Sequence, residues 1–274
     1  MTIRSIMTTY LGNGGGEGAL RMAIQMAQKY DAWITAVLWQ APNPMRSRPA
    51  PFFTREIDRM LDQAESDFAA QRREAFTARV TEAGLQDRAE FVEIKGHRAN
   101  SIAEAARGHD IVVMGSSLTG SRTGDFATRA DVVALRSGCP VLIVPPGYDA
   151  PAIVESAVVA WDGKRASARA LADAMHILGT KDRVTLLGIG DDLGPDYAQD
   201  VLLLLSRHGI EAELVVRPAG PGGIGRTILD TCADLGAGQL IMGAYEHSKF
   251  SEDLLGGVTR DILENATLPV LMSH

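Results

Sequence analysis

Apolar residues along the chain fall into short runs, and between the runs they recur at helical spacing. Ile3 to Thr8, Trp33 to Trp39, Phe91 to Ile94, Ile111 to Met114 and Val141 to Val144 have the length and β-branched content of buried strands. Ala19, Met22, Ala23, Met26 and Ala27 recur at three and four, the period of a helix that buries one face. The alternation then starts again. Ala157 to Trp161, Val184 to Leu187, Leu214 to Val216, Leu240 to Met242 and Val270 to Met272 read as strands, while Ala168, Leu171, Ala172 and Met175 carry the helical period. Short apolar strands alternating with helices predict parallel βαβ units with helices on both faces, so each half is expected to be a five-stranded α/β sandwich.

The halves are copies of one another. HDIVVMGSS (109–117) matches GQLIMGAYE (238–246), and CPVLIVP (139–145) matches LPVLMSH (268–274), at offsets of 128 and 129 residues. Pro145, Pro146 and Gly147 punctuate the end of a strand, which places the domains at 1–147 and 152–274. One region breaks the symmetry. The first half inserts APNPMRSRPAPF (41–52) and then a helical pattern from Phe53 to Ala83, with Ile57, Met60, Leu61, Ala64, Phe68, Phe76 and Val80 expected along one stripe with Phe53. The matching helix of the second half is short, Tyr197 to His208. The insertion reads either as a core helix with a proline-stiffened entry or as a lid or partner surface.

A chain of 274 residues accommodates two such domains. Its net charge of −7 comes entirely from the second half, because the first 150 residues carry equal numbers of basic and acidic side chains. No basic stripe is present to attract nucleic acid or an anionic membrane, and the longest aliphatic run, Val201 to Leu205, is far short of the ~20 residues a spanning helix needs. The N-terminus lacks a leader-like apolar core, so the expected compartment is the cytoplasm. Cys139 and Cys232 show no metal or disulfide spacing and are expected as buried small hydrophobes. The six histidines form no HExxH and no pair on a helix face, so no metal is predicted beyond Mg accompanying a nucleotide. Trp33 is expected in the core, with Trp39 and Trp161 also near the ligand-bearing edge and Trp161 on the face opposite Asp162.

Candidate chemistry gathers at two glycine clusters. GNGGGEG (12–18) follows a strand and contains Gly14, Gly16 and Ala19, a loose G-x-G-x-x-A. However, the second strand ends in Trp39, Gln40 and Ala41 rather than in a ribose-binding acid, and no Walker lysine follows. The expectation there is a glycine turn without a ligand. The second half is more specific. VVAWDGK (158–164) sets Asp162 and Gly163 at a strand C-terminus, where open α/β sheets collect ligands, and a carboxylate there accepts hydrogen bonds from ribose or base. In MGAYEHSKFSEDLLGGVT (242–259), Gly243 ends a strand, and Gly256 and Gly257 precede a helix from about Val258 whose backbone N–H groups face a phosphate. Lys164, Arg165, His247 and Lys249 flank this site. GSS at 115–117 is not a nucleophile elbow, so hydrolysis has no visible base.

These residues resemble the universal stress protein family over nearly the whole chain, as a tandem pair. The family pattern G-x2-G-x9-G-[S/T] meets Gly243, Glu246, Gly256 and Gly257, and the strand-one Asp162 and the terminal strands also fit. The resemblance implies doubly wound sheets in the order 3-2-1-4-5 whose final strands pair two domains back to back, here as an intramolecular pseudo-dimer, with a homodimer open. It also implies that Asp162, Gly163, Gly243, Glu246, Gly256, Gly257 and Val258 hold an adenine nucleotide such as ATP or AMP. Departures stand beside the matches. Glu246 replaces a glycine, and like charges at ~4 Å cost about 1 to 4 kcal/mol at dielectrics of 80 to 20. Gly257 replaces the hydroxyl. In the first half Leu118, Ala127 and Thr128 stand at or next to the pattern positions, and Thr8 and Thr9 near that of the acid, so the first site reads as lost. Two functions stay open: a nucleotide-binding stress protein, or a stress scaffold that binds no nucleotide and acts through protein contacts.

Overall fold

The structure is a computed structural model that describes residues 2–10, 14–40, 54–95, 101–116, 130–190, 193–194, 196–244 and 257–274. The first half runs β1 (Ser5–Thr9), α1 (Gly14–Tyr30), β2 (Trp33–Gln40), α2 (Arg55–Glu82), β3 (Ala89–Lys95), α3 (Ser101–Ala106), β4 (Ile111–Gly115), α4 (Ala130–Ser137) and β5 (Val141–Val144). The second runs β6 (Ser156–Ala160), α5 (Arg165–Leu178), β7 (Arg183–Ile189), α6 (Gln199–Arg207), β8 (Ala212–Arg217), α7 (Gly223–Asp234), β9 (Gln239–Gly243), α8 (Gly257–Asn265) and β10 (Val270–Ser273).

All ten strands join one sheet in the order β3-β2-β1-β4-β5-β10-β9-β6-β7-β8. Each half therefore has the doubly wound order 3-2-1-4-5 counted from its own first strand. The inner strands are apolar on both sides because helices cover both faces. One core lies under α1, α2, α5 and α6, the other under α3, α4, α7 and α8. Every pairing is parallel except the central one, where β5 and β10 run antiparallel and Leu142 faces Leu271. Val141, Leu142 and Ile143 meet Met272, Leu271 and Val270, so the two copies meet about a local two-fold with apolar side chains only.

A second junction lies on the α1 and α5 face. The segment after β5 crosses α1, where Arg21 donates to the Tyr148 carbonyl at 3.1 Å and Gln25 to that of Ala150 at 3.0 Å. Glu155 then accepts from Lys29 of the first half (2.6 Å) and pairs with Lys181 of the second (3.3 Å). The Lys181 side chain is only 1% exposed, and burial holds its pKa below the usual lysine value. For Glu155 burial acts upward, but the hydrogen bond from Lys29 and the lysine charges outweigh it and the net shift is down.

Several expectations change. Helix α2 starts at Arg55, because the Thr54 hydroxyl accepts from the Ile57 amide and caps it there; Phe53 lies outside the described residues. Helix α6 is shorter than 197–208. Gly14, Gly16 and Gly18 lie in the first turns of α1 rather than in a turn before it. Trp33 opens β2 at the edge away from the strand C-termini and is 55% exposed, so it is not a core residue. Cys232 is buried, its thiol pushed up to about 12 by burial, but Cys139 is only half-buried. The expected single stripe on α2 divides in two. Ala69, Phe76 and Val80 are buried on the sheet, whereas Ile57, Leu61, Ala64 and Phe68 lie about 120° around the helix from them.

Candidate functional site

β6 and β9 are neighbours in the sheet, yet their following and preceding helices, α5 and α7, lie on opposite faces. The crevice beyond their C-terminal ends is thus the switch point of the second half, where ligands bind in this architecture. Asp162 stands there, two residues past the end of β6 and exposed. Gly163 turns the chain with φ of +72°, a conformation that a side chain strains, and α5 begins at Arg165.

The turn is held by Asp162 itself. Its Oδ1 lies 2.6 Å from the Ser167 hydroxyl and accepts from the Lys164 amide at 3.1 Å, while Ser167 Oγ also lies 3.3 Å from that amide. Lys164 occupies the N-cap position of α5, where an ammonium has no acceptor to offer, and its own amide is what Asp162 and Ser167 bind, fixing the turn that leads into the helix. The partial positive charge of the helix N-terminus in turn favours the carboxylate. Ser167 was absent from the residues singled out by sequence. The signal was available as a hydroxyl five residues after an Asp-Gly turn, in the first turn of the following helix.

Gly243 closes the other side. A Cβ on it would overlap Ala166 and lie 2.6 Å from the Ser167 amide nitrogen, so β9 and the start of α5 approach more closely than any side chain allows. Ser167 therefore joins the two strand ends: its hydroxyl meets Asp162 and its backbone meets Gly243. Tyr197 completes the described part. Its hydroxyl donates to the Trp161 carbonyl at 2.7 Å, its ring lies against Gly188, and its pKa is raised by burial and then by the Asp162 charge. At the end of β10 the Ser273 hydroxyl is buried without a partner beside Gly243. Helix α8 starts at Gly257, one residue before the expected position, with Val258 half-buried. Glu246, His247, Lys249 and Gly256 lie outside the described residues.

Comparisons with known proteins agree with this architecture. The family model described as the universal stress protein family matches residues 2–145. The chain belongs to the universal stress protein family. A universal stress protein from Archaeoglobus fulgidus superposes with a TM-score of 0.77 at 17% identity, over 98% of this chain and 97% of that one. A functionally unknown protein from Pseudomonas aeruginosa superposes with a TM-score of 0.58 at 14% identity, over 99% and 92% of the two chains. At these identities the likeness concerns the fold. No curated protein sequence matches significantly.

Within this universal stress protein the sheet register shows what the first half offers in place of Asp162. Ile6 pairs with Ile111 as Ala157 pairs with Gln239, so Thr8 corresponds to Val159, Tyr10 to Trp161, and Leu11 in sequence to Asp162. Thr8 and Thr9 are thus inside the strand rather than at the position of the acid. Thr8 is fully buried with its hydroxyl unpartnered. Tyr10 donates to Glu17 at 2.7 Å, and burial, with the Glu17 hydrogen bond, pushes its phenol up to about 12. Leu118, Ala127, Thr128 and Ser117 lie outside the described residues. No cluster of metal-ligating side chains occurs among the described residues, and none of their helices is long and apolar enough to cross a membrane. An open groove of about 530 Å³ lies elsewhere, between α2 and β3, lined by Ser66, Ala70, Arg73, Thr77 and Glu93.

Proposed function

We propose that this universal stress protein acts in the cytoplasm as two domains, 1–147 and 152–274, and that the second binds one adenine nucleotide, ATP or AMP. The observation that carries the reading is the carboxylate of Asp162 at the switch point, held by Ser167 at 2.6 Å through one oxygen only. A carboxylate is an acceptor, so its other oxygen suits a ribose hydroxyl or an exocyclic amine and repels phosphate. Phosphate would face the α8 start, where Gly256, Gly257 and Val258 carry backbone amides, with Mg accompanying ATP. Glu246 works against that charge.

A second reading is favoured by a specific observation. Asp162 and Gly243 are both accounted for without a ligand, one as the support of α5 and the other as the point of close packing. In that reading the chain is a scaffold without nucleotide. Calorimetric titration with ATP and AMP distinguishes them. Nucleotide binding predicts measurable heat below millimolar ligand and tighter binding by Glu246→Gly; no heat from the parent protein at millimolar nucleotide leaves the scaffold.

A further inference from the structure

Because β5 and β10 pair with each other at the centre, the ten-stranded sheet ends in β3 on one side and in β8 on the other. The internal repeat makes these edges equivalent, but they are not equally protected. The carbonyl of Val37 accepts from Tyr10 just past β1, so in the alternation of a parallel ladder Val92, opposite Val37, turns its backbone to β2 and Phe91 turns its own outward. Arg73 of α2 covers that edge: it donates to the Phe91 carbonyl at 3.4 Å, pairs with Glu93 at 2.9 Å and lies over the Phe91 ring. Gly84 and Gly209 follow α2 and α6 in the same left-handed conformation, with φ of +71° and +73°. Counted back from these glycines, the position of Arg73 falls on Ala198, just before the 9-residue α6, so this guard has no counterpart over β8.

The edge of β8 is complementary to itself. Arg217 gives its carbonyl to Gly190 past β7, so Glu213 and Val215 also turn their backbone groups to β7, while Leu214 and Val216 turn theirs outward. A second copy running antiparallel about Val215 sets Leu214 against Val216 as a hydrogen-bonded pair on each side of the two-fold, which makes four backbone hydrogen bonds. Val215 then faces Val215, and Glu213 faces Arg217 twice, in the non-hydrogen-bonded positions where side chains lie closest. A shift of two residues in either direction sets one of these charges against Val215 instead. Pro218, which has no N–H, stands opposite Ala212 and ends the ladder. Glu213 and Arg217 are exposed, and Leu214, Val215 and Val216 are half-buried in the single chain. Thr185 donates to Glu213 Oε1 at 3.0 Å, which leaves the second carboxylate oxygen for a guanidinium.

We propose that β8 is the interface for a second copy of this chain, joining two ten-stranded sheets edge to edge about a two-fold at Val215. Sedimentation of the full chain over a range of concentrations tests it. The parent chain forms a reversible dimer. Arg217→Glu and Glu213→Arg each weaken it by about tenfold or more, because like charges then face one another on both sides of the two-fold. The two variants mixed together form a heterodimer, since every Glu again meets an Arg, and E213R/R217E in one chain restores the homodimer. Val216→Pro, which removes an outward N–H and leaves the ladder to β7 intact, weakens the dimer as well. Met60→Asp, at an exposed methionine of α2, leaves it unchanged. A parent chain that stays monomeric up to about millimolar concentration overturns the proposal. So does a dimer that persists in Arg217→Glu and Val216→Pro, or a mixture of the two charge variants that stays monomeric. Polymers that lengthen with concentration assign β8 to pairing with β3 of the next chain, head to tail, and also overturn it.

Discussion

Ser167 and Gly243 make the most local claims. Removing the Ser167 hydroxyl leaves the Asp162 carboxylate with one fewer donor at a half-exposed helix start, so Ser167→Ala is expected to cost about 1–2 kcal/mol in urea unfolding. It should also weaken any ligand that needs a fixed Asp162. Gly243→Ala forces β9 away from backbone atoms of α5, not from a pliable side chain, and is expected to cost about 1–3 kcal/mol. A Gly243→Ala protein as stable as the parent would contradict the close packing. Two histidines give a pH dependence. Burial lowers the pKa of His109 and of His176, whose neighbours Lys29 and Arg4 act in the same direction. Both are neutral in folded and unfolded chains well above about 6.5 and cost nothing there. Below that value the unfolded chain takes up protons more readily, so stability falls as pH drops, and the full penalty is reached below the folded values. Unfolding at pH 7.5 and 5.5 should show this loss, and H109Q/H176Q should reduce it. An unchanged slope contradicts the assignment.

At the scale of elements, the strands and most helices were legible in the sequence because their apolar periods are strong and fully used by the fold. The outer helix of the first half was not. A period of three and four reports that a helix has an apolar face, but over the 28 residues of α2 a phase drift separates Ile57 from Val80, and only Ala69, Phe76 and Val80 are buried. The helix starts were legible to within a residue or two where a capping residue such as Thr54 stands. The glycines of α1 misled, since glycine runs signal turns more often than first turns of helices. Trp33 misled because a large apolar residue opening a strand does not reveal which end of the sheet it occupies. Of the candidate site, the positions of Asp162 just past one strand and of Gly243 at the end of another were legible in the sequence; Ser167 was missed because only the fold brings its hydroxyl back to Asp162. The central strand pair supports a prediction of its own. Leu142→Ala and Leu271→Ala should each cost about 2–5 kcal/mol, and the double variant less than their sum, because the two side chains face one another.

For the whole molecule, the continuous sheet and the lysine–glutamate junction couple the halves. Glu155→Gln leaves buried Lys181 without its carboxylate and is expected to cost about 1–3 kcal/mol, between the values for exposed and buried pairs. Unfolding of the parent chain should be a single transition by both fluorescence and circular dichroism, with Glu155→Gln lowering the midpoint for the whole chain. Two separate transitions in the parent would show that the halves are joined only in sequence.

The asymmetry between the halves is the central functional claim: the second copy carries an acid just past its first strand, and the corresponding position in the sequence of the first copy is Leu11. The most direct measurement is the calorimetric stoichiometry of ATP and AMP on the intact chain and on Asp162→Ala. One nucleotide per chain, lost in Asp162→Ala, is the predicted result; two per chain, none, or one that persists without the Asp162 carboxylate contradicts it.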